Sequence, residues 1–387
     1  MRKKYFAYRS LQKHLDSHPI GFPASVSGAD IRLLKHIFTP EEAMIACCLS
    51  HKFEPIDDIF QRAEHLIKSP ALLEKALDRI QKKGGIESIL KEGKKHYCNA
   101  PLVVGFYEMQ MERMSPEFLK DFDDYTGEIN FGLAFLATAR PQMRTIPINK
   151  SILPTQNVST FDEISLLLEQ AEGPFVIVPC ICRKKKEMEG EPCKITDRKE
   201  TCLAVGQIAA TCIAGEFGRE ITRKEAFSII EKNQKDGLVL QPSNTRTLEF
   251  LCSCCGCCCG MLTLHQKLPL PMEFRESNFY ASVDAVKCNG CGVCAKRCQV
   301  GAISFSESKE PKAFIDLDIC MGCGVCVPTC PGKAITLVKK SLLTEPPIDR
   351  NELHREIMDG KKAFGKTRVA LKLLKGVVKK GKTAILK

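Results

Sequence analysis

Two runs of cysteine in the last third of the chain have the residue type and spacing to do redox chemistry. Cys288, Cys291, Cys294 and Cys298 make the first, and Cys320, Cys323, Cys326 and Cys330 repeat it thirty-two positions later, with Pro331 directly after. A cubane of four irons and four sulfides needs one thiolate per iron, and three cysteines spaced by two residues wrap three of its corners. The fourth ligand must arrive from elsewhere. In a two-cluster arrangement it comes from the other repeat, so that Cys288, Cys291, Cys294 and Cys330 hold one cluster and Cys320, Cys323, Cys326 and Cys298 hold the other. A zinc ribbon explains the pattern poorly, because zinc takes its four ligands from paired knuckles rather than from runs of four with a longer last gap.

The residues between the ligands suit a loop wrapped on a metal cluster. Gly290, Gly292, Gly322 and Gly324 permit positive φ and close backbone approach, and their amides can point at sulfur. The repeat extends beyond the cysteines: the stretch from Ala281 to Asp284 is echoed from Ala313 to Asp316, and Gly301, Ala302 and Ile303 by Lys333, Ala334 and Ile335. Each half is expected to run strand, cluster loop, short helix, strand, with the halves related by a pseudo-twofold axis. The segment from Asn278 to Lys339 resembles the bacterial-type ferredoxin with two [4Fe-4S] clusters, at all eight ligand positions. Gln299 departs from that family, which carries proline after the last cysteine of a motif.

The whole chain sets bounds on this reading. Its 387 residues suffice for two or three domains, and an apolar content of 44% suits ordinary globular cores. Twenty-two cysteines exceed any structural accident. A disulfide scaffold is a poor explanation, since such scaffolds are short secreted chains and the basic start from Met1 to Lys4 is followed by no apolar core of a signal peptide. The thiols are expected to be metal ligands kept reduced in a cytoplasm with little oxygen, the protein being cytoplasmic or peripheral at the membrane. The longest apolar run, Phe131 to Ala139, is too short to span a bilayer. Ten of the eleven net positive charges fall between Gly360 and Lys387, so the body of the chain has no general basic signature.

The expected fold class is α+β in four parts: a winged-helix-like domain (1–114), a central α/β cysteine-rich domain (115–277), a ferredoxin-like two-cluster domain (278–340) and a basic amphipathic tail (341–387). Thr39, Pro40 and Glu42 read as a capped helix start, and Ser69 with Pro70 as another; a helix over 71–83 followed by strands near 86–90 and 95–97 makes a winged helix. Such a domain could read DNA through Lys75, Arg79, Lys82, Lys83, Lys94 and Lys95. Glu74, Asp78, Glu87 and Glu92 interleave with those bases and dilute the field, which favours a packing or docking module. Cys47, Cys48 and Cys98 lie among apolar neighbours and read as buried structural thiols.

In the middle third, a helix starts at Ser115, a short strand is expected over 144–148, and Thr160 with Glu163 reads as a capping box for a helix over 164–171. The strand 175–178 delivers Cys180, Cys182 and Arg183 at its end, where sites are usually built. A helix over 201–214 then presents Leu203, Ile208 and Ile213, with Cys212 as packing. The run Cys252, Cys254, Cys255, Cys257, Cys258, Cys259 follows. With Cys180, Cys182, Cys193 and Cys202 it provides ten candidate thiolates, enough for two four-ligand clusters with two to spare, or for one with spectators. The reading adopted is at least one additional iron–sulfur cluster drawing on Cys180, Cys182, Cys202, Cys254 and Cys255, with a structural zinc as the rival. This arrangement is similar to multi-domain iron–sulfur proteins of anaerobes that place a Cys-x-Cys-Arg segment and a cysteine-rich run ahead of a two-cluster ferredoxin; the resemblance implies electron carriage.

At the tail, Ala370, Leu373, Leu374, Val377 and Val378 share one helical face, with Arg368, Lys372, Lys375, Lys379 and Lys382 around the rest. Such a helix suits an anionic membrane surface or an acidic partner. No dinucleotide fingerprint, phosphate loop or histidine–cysteine nucleophile pair is present, and His265 reads as a surface residue. The expected function is electron transfer with redox partner proteins, serving an anaerobic redox enzyme or complex. Two other classes stay open: a redox-sensing transcription regulator, and an oxidoreductase subunit with an open-site cluster.

Overall fold

The structure, a computed structural model, describes residues 2–138, 140–152, 158–362 and 365–385; Met1, Ala139, Lys387 and the side chain of Lys382, named above, lie outside that set. Short helices open the chain: Arg2–Asp16, Ala29–Ile37, Pro40–Ala46, Ile56–Ala63 and Pro70–Lys82. The Glu42 N–H donates to the Thr39 hydroxyl while the Thr39 N–H donates to the Glu42 carboxylate, satisfying two donors that a helix start otherwise leaves orphaned. Strands Ile86–Lys91 and Lys94–Asn99 form a hairpin, and the short strand Glu54–Pro55 pairs with the outer side of Lys94–Asn99.

The first hydrophobic core does not stop at residue 114. Helix Pro116–Thr126 lays Phe118 and Tyr125 into the same core as Leu33, Leu34 and Leu77. Arg32 fixes its position by donating to Asp121 (2.6 Å) and Asp124 (3.0 Å). A second core, beginning at Ile146, lies under a five-stranded sheet in the order Arg219–Ile221, Phe175–Pro179, Glu200–Val205, Phe250–Cys254, Val239–Pro242.

Every neighbouring pair in that sheet is antiparallel, which corrects the expected α/β character of the central part. After Phe175–Pro179 the chain makes only the helix Ile181–Met188 and a loop, and so returns at the end of the sheet where it left. Residues 201–205, expected as helix, are strand; the helix is Gly206–Gly215. A strand covered on both faces reads as a continuous apolar run and loses the alternation that would identify it. Ile208 is half-buried and Ile213 exposed, whereas Cys212 packs against Val176 and Ala204 as expected. The stretch 144–148 makes only isolated bridges, with Pro147 lacking the donor a ladder needs. Thr160 does not cap the next helix: Thr160–Asp162 is a separate 3-10 turn, and the Asp162 carboxylate is drawn inward by the Asn278 amide (2.8 Å).

In the C-terminal segment, Phe279–Val283 pairs with Ile335–Lys339 and Ile303–Phe305 with Ala313–Ile315, so each two-stranded sheet takes one strand from each repeat. The first repeat has its helix, Val293–Arg297; the second makes only turns there, because Pro328 would sit inside the helix without a donor. The tail is docked. In helix Arg350–Lys362, Leu353 and Ile357 are buried, and Arg350 makes a bidentate pair with Glu87 (2.6 and 2.8 Å). Helix Gly365–Ile385 buries Val369 and sets Gly376 against Pro269, where a Cβ would come within 2.8 Å. With that contact made, Ala370, Leu374, Val377 and Val378 are exposed and Leu373 is half-buried.

Candidate metal centres

The eight ferredoxin-type cysteines fall into two groups. Cys288, Cys291, Cys294 and Cys330 line one small cavity together with Phe305 and Ile335, and Cys294 has Cys291 and Cys330 as neighbours. Cys320, Cys323 and Cys326 instead share Cys298 as a neighbour. Backbone amides reach the sulfurs in matched pairs across the repeat: Ala313 N–H to Cys288 Sγ (3.4 Å) with Ala281 N–H to Cys320 Sγ (3.5 Å), and Ala302 N–H to Cys298 Sγ (3.3 Å) with Ala334 N–H to Cys330 Sγ (3.2 Å). Such donors stabilise thiolate charge and help set a cluster's potential.

The two groups differ in depth. Cys291 is exposed, and the amides of Ala313 and Gly290 hold the Cys288 thiol below its ordinary pKa. In the other group burial pushes the Cys323 thiol up to about 12. Gly290, Gly292, Gly322 and Gly324 all have positive φ, between 66° and 78°.

The five central cysteines named from sequence do not form one group. Cys255 belongs with Cys193, Cys257 and Cys258, whose four sulfurs all lie within 4.8 Å of one another. Cys193 Sγ is 3.6 Å from Cys255 Sγ and 3.9 Å from Cys257 Sγ, and Cys257 Sγ is 3.6 Å from Cys258 Sγ. Thiolates bound at about 2.3 Å to one tetrahedral ion stand about 3.8 Å apart, so this set fits a single metal ion. Cys257 and Cys258 can share it because residues 256–258 are turn, not strand, with the Cys258 N–H donating to Cys255 O (3.3 Å). The Cys258 thiol and the Arg183 guanidinium hold the Cys255 thiol down at about 6.

Cys180, Cys182, Cys202 and Cys254 lie elsewhere, with Cys252 and Cys259, two of the ten candidate thiolates that the favoured five left out. Cys252 and Cys254 alternate along strand Phe250–Cys254 and therefore face the same side of the sheet. The register that pairs Leu203 with Leu251 sets Cys202 beside Cys252. Cys180 and Cys259 each precede the first turn of a helix. The Cys-Ser-Cys alternation was the available signal for Cys252.

A buried cation, Arg183, and a half-buried one, Arg275, flank these thiols. Arg183 donates to Thr201 Oγ1, to Ser253 O (3.2 Å) and to Cys255 Sγ (3.7 Å). Arg275 donates to Gln241 Oε1 (2.6 Å) and to Met261 O. Lys185 and Lys186, by contrast, pair with acidic side chains, as a solvated charge run would. Gln299 joins the centres: it accepts from the Gly256 N–H (2.9 Å) and donates to Gly237 O (3.2 Å). Cys252, Cys254 and Cys259 share an apolar cluster with Cys298, Cys320 and Cys323. His265 is buried, not exposed, with Nε2 2.8 Å from Ile319 O, and burial lowers its pKa to about 4. It lines a cavity of about 140 Å³ together with Val103, Leu264, Arg275 and Lys372.

In the N-terminal part, Cys48 and Cys98 are buried and Cys47 is half-buried, with burial pushing the Cys47 thiol up to about 12. Lys75, Arg79, Lys82 and Lys94 are exposed, but Lys83 pairs with Glu42, and Lys95 with Asp78 (2.8 Å) and Glu74 (3.5 Å). Helix Gly206–Gly215 also covers part of this region: the Gln81 amide donates to Thr211 O (3.0 Å) and the Thr211 hydroxyl to Ser88 O (2.9 Å).

Compared with known families, residues 287–334 match the one described as the 4Fe-4S dicluster domain. No curated protein gives a significant match to the chain. The matched segment contains all eight cysteines of the two repeats.

Proposed function

From a chain that carries a ferredoxin-like iron–sulfur domain near its C-terminal end, we propose an electron carrier whose thiol sets form a path from surface to interior. When bound, iron–sulfur clusters supply one-electron transfer at potentials that the surrounding protein tunes. The observation that carries the reading is graded depth. The Cys288 group has an exposed member, Cys291, whereas every member of the Cys320 group is half-buried or buried, and that second group shares its apolar surroundings with Cys252, Cys254 and Cys259. The first group is the docking point for a redox partner protein, and the central thiols are the terminus. In this reading Cys193, Cys255, Cys257 and Cys258 hold one tetrahedral ion, zinc or iron, that fixes the turn between the two centres.

The test uses anaerobically purified protein. Cys291→Ala and Cys323→Ala are each expected to remove one cubane's paramagnetic resonance signal in the reduced state and about four irons. Unchanged iron in both variants refutes the ligand assignment.

The N-terminal helices and hairpin, winged-helix-like in our reading, serve as a packing module. Ion pairs of Lys83 and Lys95 and the cover of helix Gly206–Gly215 weigh against the regulator. The outward residues Leu371, Leu374, Val377 and Val378 among lysines suit an acidic partner or an anionic membrane surface. Among the described residues no helix is long and apolar enough to cross a membrane. One observation favours the oxidoreductase reading as a second: Arg275 lines the 140 Å³ cavity and is also the charged neighbour of Cys254 and Cys259. A small anion that enters there and shifts the visible spectrum would support it.

A further inference from the structure

Six thiols outside the ferredoxin-type sets and the four-thiol tetrahedron converge from three stretches of the chain, Cys180 with Cys182, Cys202, and the run from Cys252 to Cys259. Each thiol has the next as a side-chain neighbour: Cys180 beside Cys182, Cys182 beside Cys259, Cys259 beside Cys254, Cys254 beside Cys252, Cys252 beside Cys202 as the strand register requires, and Cys202 beside Cys180. The ring is closed, and no member is set apart from the others. It is also open in the middle, because among the described residues no three of its sulfurs all lie within 4.8 Å of one another, unlike those of the Cys193 set.

The charges around the ring form a second, independent observation. Arg183 is buried and Arg275 half-buried, and among the described residues neither donates to a carboxylate: their hydrogen-bond acceptors are a hydroxyl, an amide, backbone carbonyls and the Cys255 thiol. Arg183 Nε has no hydrogen-bond partner at all. Leaving a buried charge uncompensated costs several kcal/mol, on the order of 3–5 when a partner is removed. An anionic group at the ring offsets both cations.

We propose that Cys180, Cys182, Cys202, Cys252, Cys254 and Cys259 bind one iron–sulfur cluster larger than a cubane, with all six thiolates as ligands. Each iron of a cubane takes three sulfides and one outside ligand. Two cubanes therefore present eight positions to close; one sulfide shared between them closes two and leaves six, the number that the ring supplies. A single cubane would use four of these thiols and leave two idle beside it. This proposal rests on the iron–sulfur reading above and extends it to the centre of the chain.

The experiment is native mass spectrometry of the full chain purified without air, with iron, zinc and sulfide analysis of the same sample. The expected wild-type mass contains two cubanes, the single ion of the Cys193 set and a further cluster of about eight irons. Cys182→Ser and Cys252→Ser, on opposite sides of the ring, are each expected to lose that whole complement while keeping the reduced-state signals of the two ferredoxin-type cubanes. A further cluster of about four irons, zinc in place of iron, or full iron content in either variant overturns the proposal. The wild-type mass decides even where a variant does not fold. Cys291→Ala distinguishes the two readings: if it leaves the iron unchanged, the ferredoxin assignment fails, whereas the six-thiol cluster is judged by its own mass.

Discussion

At Gln299 a single side chain connects two of the cysteine sets. It follows Cys298, of the Cys320 group, and its amide holds the Gly256 N–H (2.9 Å) at the head of the Cys257–Cys259 run. Its carbonyl accepts from Gln266 (3.0 Å), and it approaches so closely that a Cβ at Gly256 would come within 2.1 Å of it. Proline, the residue usual in the family it resembles, would keep the Cys298 loop stiff but sever the clasp. Gln299→Pro is expected to retain both cubanes while slowing electron exchange between the C-terminal and central centres, measured by pulse radiolysis. An unchanged rate would show that the clasp has no part in coupling them. Arg183 acts at the same scale. Arg183→Met is expected to lower central metal content without altering the C-terminal signals, because only the central thiols lie beside its charge.

The loops between ligands show what an element requires of its glycines. Gly322 has a φ of 66°, and a Cβ there would lie 2.2 Å from the Phe279 carbonyl oxygen, a backbone atom that cannot swing away. Gly292 has a φ of 78° with nothing within 4 Å. Gly292→Ala should therefore cost only the left-handed penalty, about 1–2 kcal/mol, and keep its cubane. Gly322→Ala adds a clash and should lose the signal of the Cys320 group; equal signals in the two variants would contradict this account.

The docked helix Arg350–Lys362 gives a second prediction at the element scale. His354 packs on His51 and His51 on His18, with ring centroids 5.7 and 5.6 Å apart. Burial first, and then neighbouring positive groups, lowers the His18 pKa to about 3 and that of His354 well below its ordinary value. As pH falls below about 6.5 the unfolded chain takes up protons that the folded chain refuses, so stability is full above that pH and declines toward about 3. Each histidine contributes up to about 1.4 kcal/mol per pH unit in that window. The thermal midpoint followed by circular dichroism should fall more gently with acid in His18→Gln than in wild type. Parallel slopes would mean that His18 is not buried neutral.

For the whole molecule, graded depth makes a directional claim. A soluble paramagnetic relaxer should broaden the resonance of the cubane lost in Cys291→Ala far more than that of the cubane lost in Cys323→Ala, since Cys291 is exposed and the Cys320 group lies against the central core. Equal broadening would remove the surface-to-interior order. The tail is tied to the N-terminal part at two points: Arg350 pairs with Glu87, and Lys361 donates to His18 O (3.1 Å).

Ligand spacing, helix caps and the cross-repeat echo are local properties, written within a few residues or in a repeated word. The sequence alone therefore determined the ferredoxin-type segment, the capped N-terminal helices and the positive-φ glycines. Sorting the central thiols was beyond it. Cys255 parts from Cys254 because the strand Phe250–Cys254 ends between them, and Cys252 meets Cys202 only through sheet register. Cys193 meets Cys255 from sixty-two residues away. The docking of the tail, like the burial of His265, was likewise decided by tertiary packing: an amphipathic helix shows from its own residues that it has an apolar face, while the surface that covers it belongs to another part of the chain.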